Sequence, residues 1–438
     1  MRFTSLVSGA CASLRAVRVH RRVVHVGLAL TVAFSISSIA SATVADSQPL
    51  SLDEAVRLAA AESPAITARR AAAESAEDAV TPAGALPDPQ LVAGIDNLPV
   101  TTGDAFSLTN DFMTMRKIGV LQDVPYRSKR RAEIDIAAAA IAKSEAQRRV
   151  RLLAIRRDAA VAWLNRYYLE RRASLFDELD RENRLFAAAV QAQIAGGRGM
   201  TGDVIGPQQE AAEIADRRDE LAGQIVKSKA MLERWVGAAV EEPLAGDPPA
   251  FTIDAEHLRA HVHEHPELAV FVPMTEMAQA EVHQAEAAKR PDWGVEFMYG
   301  RRGAAFSDMV SLQFTVGLPI FAGTRQNPQI EAKRQELTRV YAERDAMLRD
   351  HTQELESTLA EYDTLTRQLE RMRTKRIPLA REKVDYALAG YRGGKGELTD
   401  VLTARSQLID ERLKAIELEA QRATTAAKIY FIYGEGAR

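Results

Sequence analysis

From Arg127 to Ala195 the chain runs for 69 residues without a proline or a glycine. No other feature restricts the fold as much. An unbroken helix of that length is roughly 100 Å long at 1.5 Å per residue, and few globular domains bury such a rod. Ile134, Ile141, Leu152, Leu164, Leu175, Leu179, Phe186 and Val190 recur at helical packing intervals, and the many alanines allow close helix approach. The rest of the composition agrees. The chain is rich in Ala, Glu, Arg, Leu and Gln and only 6% aromatic, which favours long helices and coiled coils.

A second long helix is expected over about 328–391. In it Leu348, Leu355, Leu359, Tyr362, Leu365, Leu369 and Met372 step mostly by three and four, a coiled-coil seam. Pro378 should kink it. Each long helix ends at a Gly-rich reversal. The later one, 391–402, reads Tyr391, Arg392, Gly393, Gly394, Lys395, Gly396, then Leu398, Asp400, Val401 and Leu402, where a helix restarts. A weaker copy lies about 197 residues upstream: Gly196, Gly197, Arg198 and Gly199 lead into Thr201, Asp203 and Val204. Asp203 then corresponds to Asp400, Gly199 to Gly396 and Gly237 to Gly434. The chain so divides into a first structural repeat, 46–240, a Pro/Gly linker, 241–254, and a second repeat, 255–438.

Each repeat carries a pair of extended segments. They are expected at about 90–97 and 112–124 in the first and at about 293–300 and 309–318 in the second. Trp293, Val295, Phe297 and Tyr299 share one face, and Leu312, Phe314, Val316 and Leu318 give the cleanest alternation in the chain. Helices fill the remainder. One over 51–84 opens at Ser51 as N-cap with Asp53 and Glu54 in its first turn; others cover about 201–236 and 255–289, and the last runs to Tyr433. Pro64 and Pro266 sit at like places.

The N-terminus reads as a cleaved secretory signal peptide, 1–45. Five arginines precede an apolar run, 23–39, and small residues at 40–45 offer cleavage after Ala42 or Ala45. Its removal takes away five arginines, no acids and the sole cysteine, Cys11, leaving 52 basic against 60 acidic groups. A net charge of about −8 argues against nucleic acid as a partner. No later run of about 18 apolar residues marks a membrane-spanning helix.

Four strands cannot close a barrel, and strand edges must be paired or covered. Three chains with four strands each would make twelve, enough for a closed outer-membrane barrel. The Trp293 and Leu312 faces would then meet lipid, with Trp293 and Tyr299 at the interfacial belts. Gly294, Glu296, Gln313 and Thr315 would face water. The lengths also match. Helices of about 34 and 36 residues, stacked end to end, equal the 69-residue helix, which suggests the wall of a periplasmic cylinder.

In this pattern the chain resembles the TolC family of outer-membrane factors over essentially its whole mature length. Tyr391, Gly394, Leu398, Asp400, Val401 and Leu402, followed by Ala404, Arg405 and Leu408, carry the resemblance. The internal duplication supports it. The segment 84–89 (Gly-Ala-Leu-Pro-Asp-Pro) with 94–99 (Gly-Ile-Asp-Asn-Leu-Pro) resembles the heavy-metal branch, the cobalt-zinc-cadmium and copper-silver type of RND efflux system. The resemblance implies a mainly α fold with a small β part: a homotrimer with a long α-helical barrel and a 12-stranded outer-membrane β-barrel. It implies a passive conduit with no catalytic residues and no cofactor. Its periplasmic tip would dock a periplasmic adaptor that links it to an inner-membrane RND-type pump in a Gram-negative bacterium. The tip, gate and adaptor contacts would fall on Tyr391, Arg392, Gly394, Gly396, Leu398, Asp400, Val401, Leu402, Gly197, Gly199 and Asp203. Asp400 matches a family position that rings the constriction with acid. The next such position is Thr403 here, which implies a thinner ring.

No catalytic constellation stands out. Gly393, Gly394, Lys395 and Gly396 lack the spacing and preceding strand of a phosphate loop. Four of the six histidines beyond the leader, His257, His261, His263 and His265, fall within nine residues. His257 and His261 share a helical face at a spacing usable for zinc, which makes the four a candidate metal site. The rival readings are a drug-efflux or type I protein-secretion duct of the same fold, and a soluble periplasmic coiled-coil metal-binding scaffold.

Overall fold

The computed structural model describes residues 49–434 apart from 102 and 198. The signal-peptide segment and Cys11 lie outside the described residues.

Ser51 caps α1 (Leu52–Glu62), its Oγ accepting from Glu54 N–H at 3.2 Å. Ser63 is extended because Pro64 follows, and Pro64 opens α2 (Pro64–Asp78) at the position where a missing N–H costs nothing. A single turn, α3 (Val80–Ala83), precedes the Pro87-Asp88-Pro89 break. The 69-residue stretch forms one helix, α4 (Arg127–Ala195), with the expected bounds. After a 3-10 turn at Thr201–Val204 comes α5 (Ile205–Val236). α5 packs along the C-terminal half of α4 and α1–α3 along its N-terminal half, so two shorter runs match one long rod.

The expected helix over 255–289 is divided. It consists of α6 (Ala255–His261), a 3-10 turn (Val262–Glu264), α7 (Pro266–Ala269) and α8 (Phe271–Ala287). Pro266 again starts a helix at its first residue and forces His265 out of it. The second long rod is α9 (Gln326–Arg371) and α10 (Ile377–Arg392), joined by a π-helical turn at Met372–Arg376. Pro378 has no N–H to give, and the turn before it is widened, with Ile377 N–H bonded to the carbonyl of Met372. The seam reading holds in the core: Leu355, Leu359, Leu365, Leu369 and Met372 are buried. The last helix, α11 (Leu398–Tyr433), packs on α4, α9 and α10.

The middle of α4 anchors the connectors. Trp163 is fully buried and donates from Nε1 to the carbonyl of Leu50 at 2.9 Å. Arg166, also buried, donates to the carbonyls of Val240 at 2.6 Å and Glu242 at 3.2 Å and pairs with Glu170 at 2.7 Å. A parallel bridge joins Leu50 to Leu244. The 241–254 stretch is thus pinned to the long helix.

The strands form one antiparallel sheet in the order β1 (Gln90–Asp96), β2 (Met115–Val124), β3 (Trp293–Arg301), β4 (Met309–Val316). β2 starts three residues later than expected. The Asp111 carboxylate turns the chain there, accepting from Met113 N–H at 2.7 Å and Thr114 N–H at 3.1 Å. β4 ends two residues early, leaving Leu318 beyond it.

Candidate functional site: paired helical tips, an apolar sheet face and a divided histidine group

The two reversals begin with the same backbone at their first two glycines. Gly196 has φ −81° and ψ 3°, and Gly393 has φ −81° and ψ 0°. Gly197 and Gly394 follow at φ +71° and +67°, the left-handed conformation that L side chains avoid. The preceding glycines satisfy helix-end carbonyls: Gly196 N–H bonds to the carbonyl of Ala192 and Gly393 N–H to that of Ala389. The helix-end equivalence of Gly237 and Gly434 does not extend to conformation, since Gly237 has φ +57° and Gly434 φ −97°.

The tips lie against each other. Phe186 and Val190 of α4 pack with Leu398 and Val401 of α11, and Tyr391, Leu402 and Ile194 close over them. Gly206 of α5 sits against Leu402, where an added Cβ would stand 2.5 Å from Leu402 Cδ1. Behind this cluster Arg405 pairs with Glu210 at 3.1 Å, with the two side chains only 14% and 10% exposed. The Arg405 guanidinium also lies 4.6 Å from the centre of the Phe186 ring. Arg405 was singled out by its motif alone, and nothing near Glu210 in sequence marked it as the partner.

The two corresponding acids differ. Asp203 accepts at Oδ2 from Met200 N–H and from the Tyr391 hydroxyl, both at 3.1 Å. Burial, then the Asp203 carboxylate, pushes the Tyr391 phenol above its ordinary value. Asp400 stands exposed in the first turn of α11, where the helix dipole favours a carboxylate. Arg392, Gly394 and Thr403 are exposed beside it.

At the other end, the sheet has an apolar face that no other described residue covers. Register places Leu91, Val120, Phe297 and Leu312 in one row, and Ala93, Ile118, Tyr299 and Val310 in the next but one. Leu91 is 73% exposed, Phe297 53% and Leu312 60%. Val124, Trp293 and Val316 align on the same face at its helix-proximal end. Gly294, Glu296, Gln313 and Thr315 occupy the opposite face, as their alternation predicts. β1 and β4 are edges without a strand partner among the described residues.

The histidine group splits. The His257 and His261 rings lie 4.1 Å apart, and His263 is 6.4 Å from His261. His265 turns inward, buried, onto His351 of α9, with ring centres 3.7 Å apart. Burial, then the neighbouring His351, lowers the His265 pKa to about 4. Glu267 completes this second cluster, 3.2 Å from His351. Sequence proximity pointed to His265 but not to Glu267 or His351, since 86 positions separate the two histidines.

This arrangement of long helix pairs, Gly-turned tips and a four-stranded sheet is the fold of a TolC-like channel protomer. A family model described as outer membrane efflux protein matches residues 261–435, less than half of the chain. Among solved structures, a membrane protein from Pseudomonas aeruginosa superposes with a TM-score of 0.75 at 16% identity, over 87% of this chain and 90% of that one. CusC, studied for its folding and transmembrane channel formation, gives 0.72 at 14% identity, over 87% and 92%. The outer membrane protein VceC from Vibrio cholerae gives 0.71 at 19% identity, over 87% and 96%. No curated protein matches the chain by sequence.

Proposed function

We propose that the chain is the outer-membrane channel of a tripartite efflux system. It would act as a passive homotrimeric conduit, not an enzyme. The uncovered apolar sheet face between two unpaired edges carries this reading. In water such a face and such edges would aggregate. In a closed barrel of three protomers they meet lipid and neighbouring strands. No helix among the described residues is long and apolar enough to cross a membrane, so the sheet is what would span it.

The long helix pairs would then form a periplasmic tunnel, with the paired tips at its far end. There the tip residues 391–402 and the Gly197–Asp203 turn would meet a periplasmic adaptor and, through it, an inner-membrane RND-type pump. Opening requires the tips to part, which breaks the Tyr391–Asp203 bond and leaves Asp400 facing the passage. Heavy-metal cations are the proposed cargo. That choice rests on the Pro-Asp-Pro and Asn-Leu-Pro segments around β1.

Planar-bilayer recording from the purified protein tests the conduit. Discrete channel openings that become more frequent in Tyr391→Phe are expected; a protein that leaves the bilayer silent in both forms overturns it. Loss of the gene should sensitise cells to zinc, cobalt, cadmium, copper or silver. Sensitivity to organic drugs alone would instead favour the drug-efflux reading.

A further inference from the structure

His265, Glu267 and His351 come from two segments that only the fold brings together. His265 and Glu267 flank Pro266 at the start of α7, and His351 lies in α9. We infer that these three side chains form a binding site for a divalent cation of the zinc–copper class. The inference stands apart from the conduit reading, since it needs neither a barrel nor a metal cargo.

The donor set fits that class. Two imidazoles with one carboxylate suit zinc or copper, whereas calcium and magnesium select oxygen. The spacing fits as well. Two donors bound at about 2.0–2.1 Å to a tetrahedral zinc stand about 3.3 Å apart. His351 Nε2 is 3.2 Å from Glu267 Oε2, and one donor atom from each of the three residues lies within 4.8 Å of the others. Among the described residues no other trio of His, Cys, Asp or Glu converges so closely.

His351 gives the second, independent sign. It is only 6% exposed, and its Nε2 has the Glu267 carboxylate at 3.2 Å as its neighbour without a well-directed hydrogen bond to it. A buried polar atom in that condition is costly, and a cation between the ring and the carboxylate would satisfy it. The other ring nitrogen of His351 faces the Tyr433 hydroxyl at 3.5 Å and the Glu354 carboxylate at 3.8 Å. Outer partners of this kind orient metal-binding imidazoles. His265 Nδ1 accepts the Glu267 N–H at 3.2 Å as the α7 cap, and a cation bound through that nitrogen would exchange this long bond for a metal–nitrogen bond. The cation would fasten the start of α7 to α9, close to Tyr433 at the end of α11.

His257, His261 and His263 supply the control. The His261 Nδ1 lies 2.8 Å from the His257 carbonyl, and no carboxylate joins the three in a converging set.

The test is calorimetric titration of the full-length, chelator-stripped protein in detergent with Zn²⁺ alone. One tight site per chain is expected. His351→Gln should weaken it about 100-fold or more, beyond the 10–100-fold cost of losing a supporting group, and Tyr433→Phe by about 10-fold. The triple variant His257→Ala/His261→Ala/His263→Ala should leave affinity within about threefold. Zinc-edge X-ray absorption on the unaltered protein should show two imidazoles and a carboxylate, and it decides the matter even where His351→Gln does not fold. The proposal is overturned by no tight site in the native protein, loss of the site in the triple variant, an unaffected His351→Gln, or a spectrum with fewer than two imidazoles. A protein that binds zinc but opens no channel keeps this site and overturns the conduit. A protein that conducts but binds no zinc does the reverse.

Discussion

The two helical tips turn on the same pair of glycine conformations and differ in their contacts. In both, a glycine near φ −81° and a second near φ +70° turn the chain, and an aspartate follows in the restarting helix. In the first tip that aspartate is engaged by a backbone N–H and by Tyr391 of the other tip. In the second, it stands exposed. Lys395 N–H and Gly396 N–H both reach the Gly390 carbonyl, at 3.0 and 3.1 Å. The two tips show that duplicated geometry need not carry duplicated contacts: Asp203 bonds to the other tip, whereas Asp400 stands exposed, and under the proposed function Asp400 is the acid that would meet an ion.

This division can be broken by substitution, and the largest effect is expected behind the tips. Glu210→Ala strands the Arg405 guanidinium against Phe186 and should cost about 3 kcal/mol, read as a lower thermal midpoint of the solubilised protein. A smaller and matched loss is expected from Gly197→Ala and Gly394→Ala, about 1–2 kcal/mol each, because both demand the same positive φ. Unequal losses would show that the turns are not energetic copies. Tyr391→Phe removes one hydroxyl contact and should cost about 1 kcal/mol, with faster amide exchange confined to the tips. Asp400→Asn should leave stability within about 0.5 kcal/mol while changing cation block of the conductance. If Asp203→Asn alters cation block and Asp400→Asn does not, the assigned roles are reversed.

Much of this fold was legible because its signals are local. Helix α4 has the bounds read from an absence of breakers, and the Gly-rich tips fall where the duplication put them. The sheet faces follow from alternation at Trp293–Arg301 and 312–316, although β2 begins at Met115 because Asp111 forms a turn that alternation alone does not reveal. The helix over 255–289 was overextended. Most residues there have helical propensity enough, but Pro266 and the 3-10 turn before it redirect the chain.

Sites built from distant residues were less legible. His265 looked like one of four neighbours along a helix, yet its place ahead of Pro266 turns it inward to His351. No pattern in the sequence joins those two positions, or Glu210 to Arg405. Such pairs arise where long helices cross, and their register is set by the accumulated packing of each rod.

The proposed conduit requires the open, apolar sheet to be one third of a membrane barrel. Fractionation of cells that express the full chain, followed by the mass of the extracted protein in detergent, tests it most directly. Recovery from the outer membrane as three copies of the chain is the predicted result. A water-soluble monomer in the periplasmic fraction would contradict it.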